Sequence, residues 1–228
     1  MSTVANVITY ARQLAQTDSN GITDTLGIAF ASDALQNMTR ALLERGIDAA
    51  QTQESYTNLT TSSPNTYAWP SDMFALKTIE VNFVDSSQNN YLQAQQVDVA
   101  NLQGKTSFDF LRANQPTQSP LVDNRGDTYE IFPTPVIAVT AGIRLFYYLT
   151  PTDYTATSDT VSYPQSLDYR CLSARIATLY AISQGQSEMV QVCEQEYQSR
   201  LKDIIKILAP GTQQPIKPEK LSLTGWNF

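Results

Sequence analysis

The sequence predicts a mixed α+β protein, on three observations. An apolar stripe at near-helical spacing, Leu26, Phe30, Ala34, Met38 and Leu42, lies early in the chain. Two-residue alternation follows in the middle, at Ile79, Val81 and Phe83 and again at Ile143, Leu145 and Tyr147. A second stripe, Val190, Cys193, Tyr197, Leu201, Ile204 and Leu208, comes near the end. The order is two N-terminal helices, a β-rich middle, two C-terminal helices and an extended apolar-aromatic tail.

The first helix spans about Val4 to Leu14 and stops before Thr17-Asp18-Ser19-Asn20-Gly21, whose side chains compete for backbone hydrogen bonds and favour a turn. Thr23 offers a cap for the second helix, which ends at Arg45-Gly46. From Gln51 to Tyr67 the chain is rich in Thr, Ser, Asn and Gln and is read without a regular element. Trp69-Pro70-Ser71-Asp72 reads as a turn into extended structure, then the strand at Ile79–Phe83, then a polar turn from Asp85 to Asn90. Val97 to Leu102 and Phe108 to Arg112 are read as short helical turns.

Asn124-Arg125-Gly126-Asp127 reads as a turn before a strand carrying Tyr129 and Ile131, which stops at Pro133-Thr134-Pro135. A longer strand runs from about Ile137 to Leu149, with Arg144, Phe146 and Tyr148 opposite its apolar face, and the two strands are expected to pair as a hairpin. Pro164 is placed at a helix start, with Leu167, Cys171, Leu172, Ile176 and Leu179 on one face and Gly185 at its end. Ser187 is expected to cap the last helix. Pro210-Gly211, Pro215 and Pro218 then open a tail that closes on Leu221-Ser222-Leu223-Thr224-Gly225-Trp226-Asn227-Phe228.

The 228 residues, 42% hydrophobic, suffice for one large domain or two small ones. Charged residues make up only 16%, so much of the surface is uncharged and polar, which suits large, wet protein contacts. The net charge of −7 opposes binding to the outside of a nucleic acid backbone. Cys171 and Cys193 fall in helical patterns and read as small buried side chains of a reducing compartment. No basic leader and no run of ~18 apolar residues is present, so the chain is expected to be soluble and made in a cytoplasm.

With no histidine, Ser-His-Asp and Cys-His machinery and His-containing zinc sites are excluded, and two cysteines do not make a four-thiolate zinc site. No metal and no cofactor is therefore expected. Gly104-Lys105-Thr106 resembles the end of a phosphate loop, but Val99 stands where that motif requires glycine. Arg125-Gly126-Asp127 spells an integrin-recognition tripeptide in a position where a turn alone explains Gly and Asp. Asn37-Met38-Thr39 and Asn58-Leu59-Thr60 match glycosylation sequons without a signal for secretion. Asp98 and Asp109 are candidates for a carboxylate pair, although no spacing rule joins them.

The order of segments resembles the head-to-tail connector, or portal adaptor, proteins of tailed bacteriophages. Four stretches carry the resemblance: the helix Thr23–Glu44; Trp69-Pro70-Ser71-Asp72-Met73-Phe74 leading to Ile79–Phe83; Tyr129-Glu130-Ile131-Phe132-Pro133-Thr134-Pro135 through Ile143-Arg144-Leu145-Phe146-Tyr147-Tyr148; and Tyr163-Pro164 before the final helix pair. Residues 85–125 have no counterpart in it. The resemblance implies a helical bundle from the terminal helix pairs (1–50 and 161–209), an inserted β-rich segment (51–160) and an extended docking tail (210–228).

The resemblance also implies a non-enzymatic virion protein at the neck, a homo-oligomeric ring, usually twelve-fold, under the portal. The ring would attach the tail or next neck protein and continue the channel through which genomic DNA passes without sequence-specific binding. The Val190–Leu208 and Leu26–Leu42 stripes would pack together. Lys217 and Lys220 would meet acidic surface on a partner while Leu221, Leu223, Trp226 and Phe228 fill apolar pockets. Two other readings stand beside this one: a carbohydrate-binding or tail-fibre module with exposed aromatic platforms, and a histidine-free hydrolase working through paired carboxylates.

Overall fold

The computed structural model describes residues 2–84, 90–99, 107–162 and 164–209. The fold is α+β. The chain divides into two compact units, one built from its two ends, up to Ala49 and from Thr152 onward, and the other from Ala50–Pro151.

The helical unit holds α1 (Val4–Leu14), α2 (Asp24–Leu43), α4 (Tyr169–Ser183) and α5 (Ser187–Leu208). Thr3 gives α1 no side-chain cap. Its first amides donate instead to a returning segment, Val4 N–H to the Asp159 carbonyl and Ala5 N–H to that of Thr157, both at 2.9 Å. Residues 152–160 are thereby tied to the helices rather than to the strands. Asp18 folds the α1–α2 turn by accepting the amides of Asn20 and Gly21, bonds that lower its pKa. Thr23 caps α2 as expected, accepting the Leu26 amide at 3.2 Å. A methyl group on Gly27 would lie 2.8 Å from the Ile8 side chain, so this glycine lets α1 and α2 approach closely.

The buried residues of α4 run almost continuously from Cys171 to Ala181, so the helix is covered around most of its circumference. It packs against α1, α2 and α5. The apolar stripes of α2 and α5 enter one core, with α4 packed against both helices. Leu201 is 3% exposed within that core. Arg175 to Glu194 and Arg200 to Asp168, both 2.8 Å, lace α4 to α5 at the rim.

Two helix starts differ from the sequence reading. Pro164 precedes a 3-10 turn, Gln165–Leu167, in which Leu167 is 40% exposed, and Asp168 caps α4 by accepting the Arg170 amide. Ser187 is the first residue of α5 rather than its cap. After Gly185, left-handed at φ +68°, the connection is so short that the Gln186 carbonyl already accepts the first α5 bond, from Val190.

The β unit is two four-stranded sheets. One has the order β1 (Thr52–Leu59), β8 (Val139–Leu149), β3 (Met73–Val81), β4 (Leu92–Gln93). The other has β2 (Thr66–Ala68), β7 (Thr128–Phe132), β6 (Leu121–Asn124), β5 (Gln95–Val97). Ile79, Val81, Ile143, Leu145 and Tyr147 from the first sheet and Val122, Tyr129 and Ile131 from the second share one core, so the sheets face each other. The expected hairpin does not form. β7 pairs with β2 and β6, whereas β8 pairs with β1 and β3. Pro133 and Pro135 carry no amide hydrogen to extend a ladder, and the chain crosses from one sheet to the other there.

α3 (Phe108–Asn114) is a helix, as read, capped by Ser107. Of the helical turn expected from Val97 to Leu102, Val97 ends β5, Val99 is in a 3-10 turn, and residues 100–102 lie outside the described residues. Leu111 of α3 joins Val99 and Phe132 in a small second core behind β7. β7 is thus covered on both faces, and Tyr129 to Phe132 are all buried.

Candidate functional site

The sequence-predicted docking residues Lys217, Lys220, Leu221, Leu223, Trp226 and Phe228 lie outside the described residues, as does Gly104-Lys105-Thr106. Among the described residues, three surfaces carry concentrated chemistry.

The first lies over α3 and the β6–β7 turn. Alternation along β7 turns Tyr129 and Ile131 into the core and Glu130 to the other face, where its side chain is 0% exposed. Arg112 of α3 donates to both carboxylate oxygens, at 2.7 and 3.3 Å, and Arg125 of the turn reaches one of them. The bond to Glu130 raises the Arg112 pKa against the opposing effect of burial, and Asp109 at 2.8 Å adds to the rise. Arg125 also donates to Asp123 at 3.3 Å and lies 4.4 Å over the Phe108 ring. A carboxylate buried against two guanidinium groups satisfies the rule that internal charge is paired, and it fastens α3 to the sheet.

Asp98 and Asp109 are brought together on one open depression of about 610 Å³, with Asp123, Arg112 and Arg125 also on its wall. Its carboxylates Asp109 and Asp123 are ion-paired to these arginines. The Arg125-Gly126-Asp127 turn has Gly126 at φ +79°, and the Arg125 side chain is held inward. The tripeptide is thus built for the turn and the clamp.

The second surface is the outer face of the first sheet. Arg144 donates to Glu80 at 2.8 Å, stands 3.8 Å from Glu54, and lies 4.2 Å over Tyr91 and 5.2 Å over Phe146. Tyr56, 53% exposed, donates to Glu54, a bond that raises the phenol's pKa. Tyr91 and Phe146 here are occupied by Arg144, while Tyr56 stands exposed beside them. Trp69, at an open cleft of about 630 Å³ with Met73 and Val97, stacks 4.2 Å from Tyr129 and so belongs to the core's edge. A sugar platform needs free ring faces, which these stacks use up.

The third surface is the outer face of α5, where Gln191, Gln195, Gln198, Ser199 and Lys202 are exposed beside Val190 and Glu194. Exposed Val192 and Ile207 add apolar spots on the same helix. Its polar, mostly uncharged character is that of a wet protein contact.

Cys171 and Cys193 are free and buried, and burial pushes the Cys171 thiol up to about 12. Among the described residues, no group of three or more His, Cys, Asp or Glu side chains is arranged to hold a metal ion. Among them too, no helix is long and apolar enough to cross a membrane.

Sequence reasoning missed the Glu130 clamp. The signal was present, as a lone acid inside the apolar run Tyr129-Glu130-Ile131-Phe132 implies a buried carboxylate in need of a cation.

No curated protein matches the sequence. A family model described as SU10 adaptor protein matches residues 2–218, both compact units included. With the match covering nearly the whole chain, the protein belongs to the SU10 adaptor protein family, a family of phage adaptors.

Proposed function

We propose that this chain is a structural virion protein that joins the phage portal to the tail or next neck component. In this reading copies assemble side by side as a ring, twelve-fold to match the portal, and continue the channel for the genomic DNA. It acts by joining and performs no catalysis. The observation that carries the reading is the adaptor match over residues 2–218. The sparse charge and the glutamine-rich outer face of α5 support it, because side-by-side copies can bury such faces with direct and water-mediated hydrogen bonds and little mutual repulsion. The net charge of −7 suits a channel wall that does not hold the passing phosphate backbone.

The C-terminal residues 212–228 serve in this proposal as a docking arm. Pro215 and Pro218 oppose helix continuation, Lys217 and Lys220 supply positive charge, and Leu221, Leu223, Trp226 and Phe228 supply anchors. Quantitative mass spectrometry of purified virions tests the whole reading. The expected result is one copy of this chain per portal subunit, retained with the neck when heads are disrupted. Absence from the virion, or recovery with the fibres instead of the neck, would refute it.

A further inference from the structure

The four sheet edges of the β unit are unequal. β2 and β5 have three residues and β4 has two, short enough to offer little to another chain. β1 has eight, Thr52-Gln53-Glu54-Ser55-Tyr56-Thr57-Asn58-Leu59, and pairs with β8 on one side only. It carries few of the usual edge guards: it has no proline and no lysine, a single charge at Glu54, and one irregularity, confined to the Thr57–Leu59 end.

The register shows which backbone groups are open. Leu149 N–H donates to the Gln51 carbonyl at 2.9 Å, and Thr52 stands opposite Tyr148, so Gln53, Ser55 and Thr57 exchange bonds with β8. The amides and carbonyls of Thr52, Glu54 and Tyr56 point the other way. On the far side of β8, Asn82 N–H donates to the Gly142 carbonyl, which puts Arg144 and Phe146 in bonding positions toward β3, as this alternation requires. Among the described residues, the outward amides of Thr52, Glu54 and Tyr56 have no backbone acceptor.

One segment of the sequence matches this edge. After Pro218, Lys220-Leu221-Ser222-Leu223-Thr224 alternates polar and apolar residues with the two-residue period of a strand. If Lys220, Ser222 and Thr224 share the face of Glu54 and Tyr56, then Leu221 and Leu223 fall beside Ser55 and Thr57, on the side of the sheet that covers the core. With the added strand parallel to β1, Lys220 then meets the exposed Glu54 carboxylate and Ser222 lies beside Tyr56.

We propose that residues 220–224 of a second copy add as a strand to the open edge of β1, linking neighbours head to tail. Main-chain bonds to Thr52, Glu54 and Tyr56 give the contact its strength, and the alternating side chains give it register. An edge on one copy and a strand on the next form a heterologous contact, which repeats around a closed ring. The inference rests on the side-by-side ring reading, and it names the partner surface for the arm.

The test mixes two full-length variants, Tyr56→Cys and Ser222→Cys, under mild oxidation. The native Cys171 and Cys193 are buried. A disulfide-linked heterodimer is expected, together with its loss when Glu54→Pro is introduced beside a Tyr56→Cys and Ser222→Cys pair while the melting temperature stays unchanged. The proline removes the outward amide and the carboxylate that the contact uses, and no ladder bond to β8. Absence of the link, or closure of the Tyr56→Cys, Ser222→Cys double variant within one chain, would overturn the proposal. Rings that assemble on the portal without the link overturn this inference alone, whereas failure to form any ring removes the ring reading as well.

Discussion

Glu130 occupies the middle of a strand that is buried on both faces, where a hydrocarbon side chain would be expected. Arg112 and Arg125 pair its carboxylate there, one from a helix and the other from a turn. The clamp therefore depends on the correct placement of α3 against the sheet and fixes that placement in return. Glu130→Ala should lower stability by about 2–3 kcal/mol in urea unfolding, toward the low end for a broken buried pair because both arginines are partly exposed. Loss of under half a kcal/mol, a value about typical of exposed pairs, would show that the clamp is superficial.

Cys171 gives a second expectation at this scale. Burial holds its thiol neutral up to about 12, against an ordinary value of 9.0. The folded state thus keeps a proton that the unfolded state releases, and this contribution favours the fold below pH 9.0 and is lost as pH rises toward about 12. At pH 8 a thiol reagent should leave Cys171 unmodified in the folded protein and modify it after denaturation. Rapid modification of Cys171 in the folded state would contradict the burial.

Among the elements, the long helices were legible because each buries a face repeating every three or four residues. Thr23 and Gly185 mark a start and an end through backbone demands that little else overrides. Thr23→Ala should cost about 1 kcal/mol, the usual loss for a cap. Leu201→Asp should cost several kcal/mol, roughly 3 or more, by combining lost packing with an unpaired buried charge. A melting temperature unchanged in the second variant would place Leu201 at the surface.

β1 was not legible. As an edge strand its residues are exposed or half-buried except Leu59, so its composition is that of a polar loop. The β7–β8 hairpin failed for a different reason: each strand was correctly read by its alternation, but β7 forms its hairpin with β6 just before it, while β8 takes β1 and β3 from much earlier in the chain, and local pattern does not say which partner wins. The clamp was only half legible, since Glu130 signals a need for a cation without saying which arginine supplies it. The docking tail rests on sequence pattern alone.

At the scale of the whole molecule, the chain leaves and re-enters a helical bundle, with a two-sheet unit inserted at 50–151. Each unit has its own core, and the proposal gives residues 212–228 a docking role apart from both. Deletion of 212–228 should leave a cooperatively folded protein that fails to join its partner. Aggregation of the shortened chain would assign the tail to the body instead. The native mass of the full chain mixed with its phage's portal protein tests the central claim most directly. The account predicts a complex in which the two chains are present in equal number and form a single closed ring assembly. A mixture that remains as free portal and unassembled chain, at concentrations where both are folded, would contradict it.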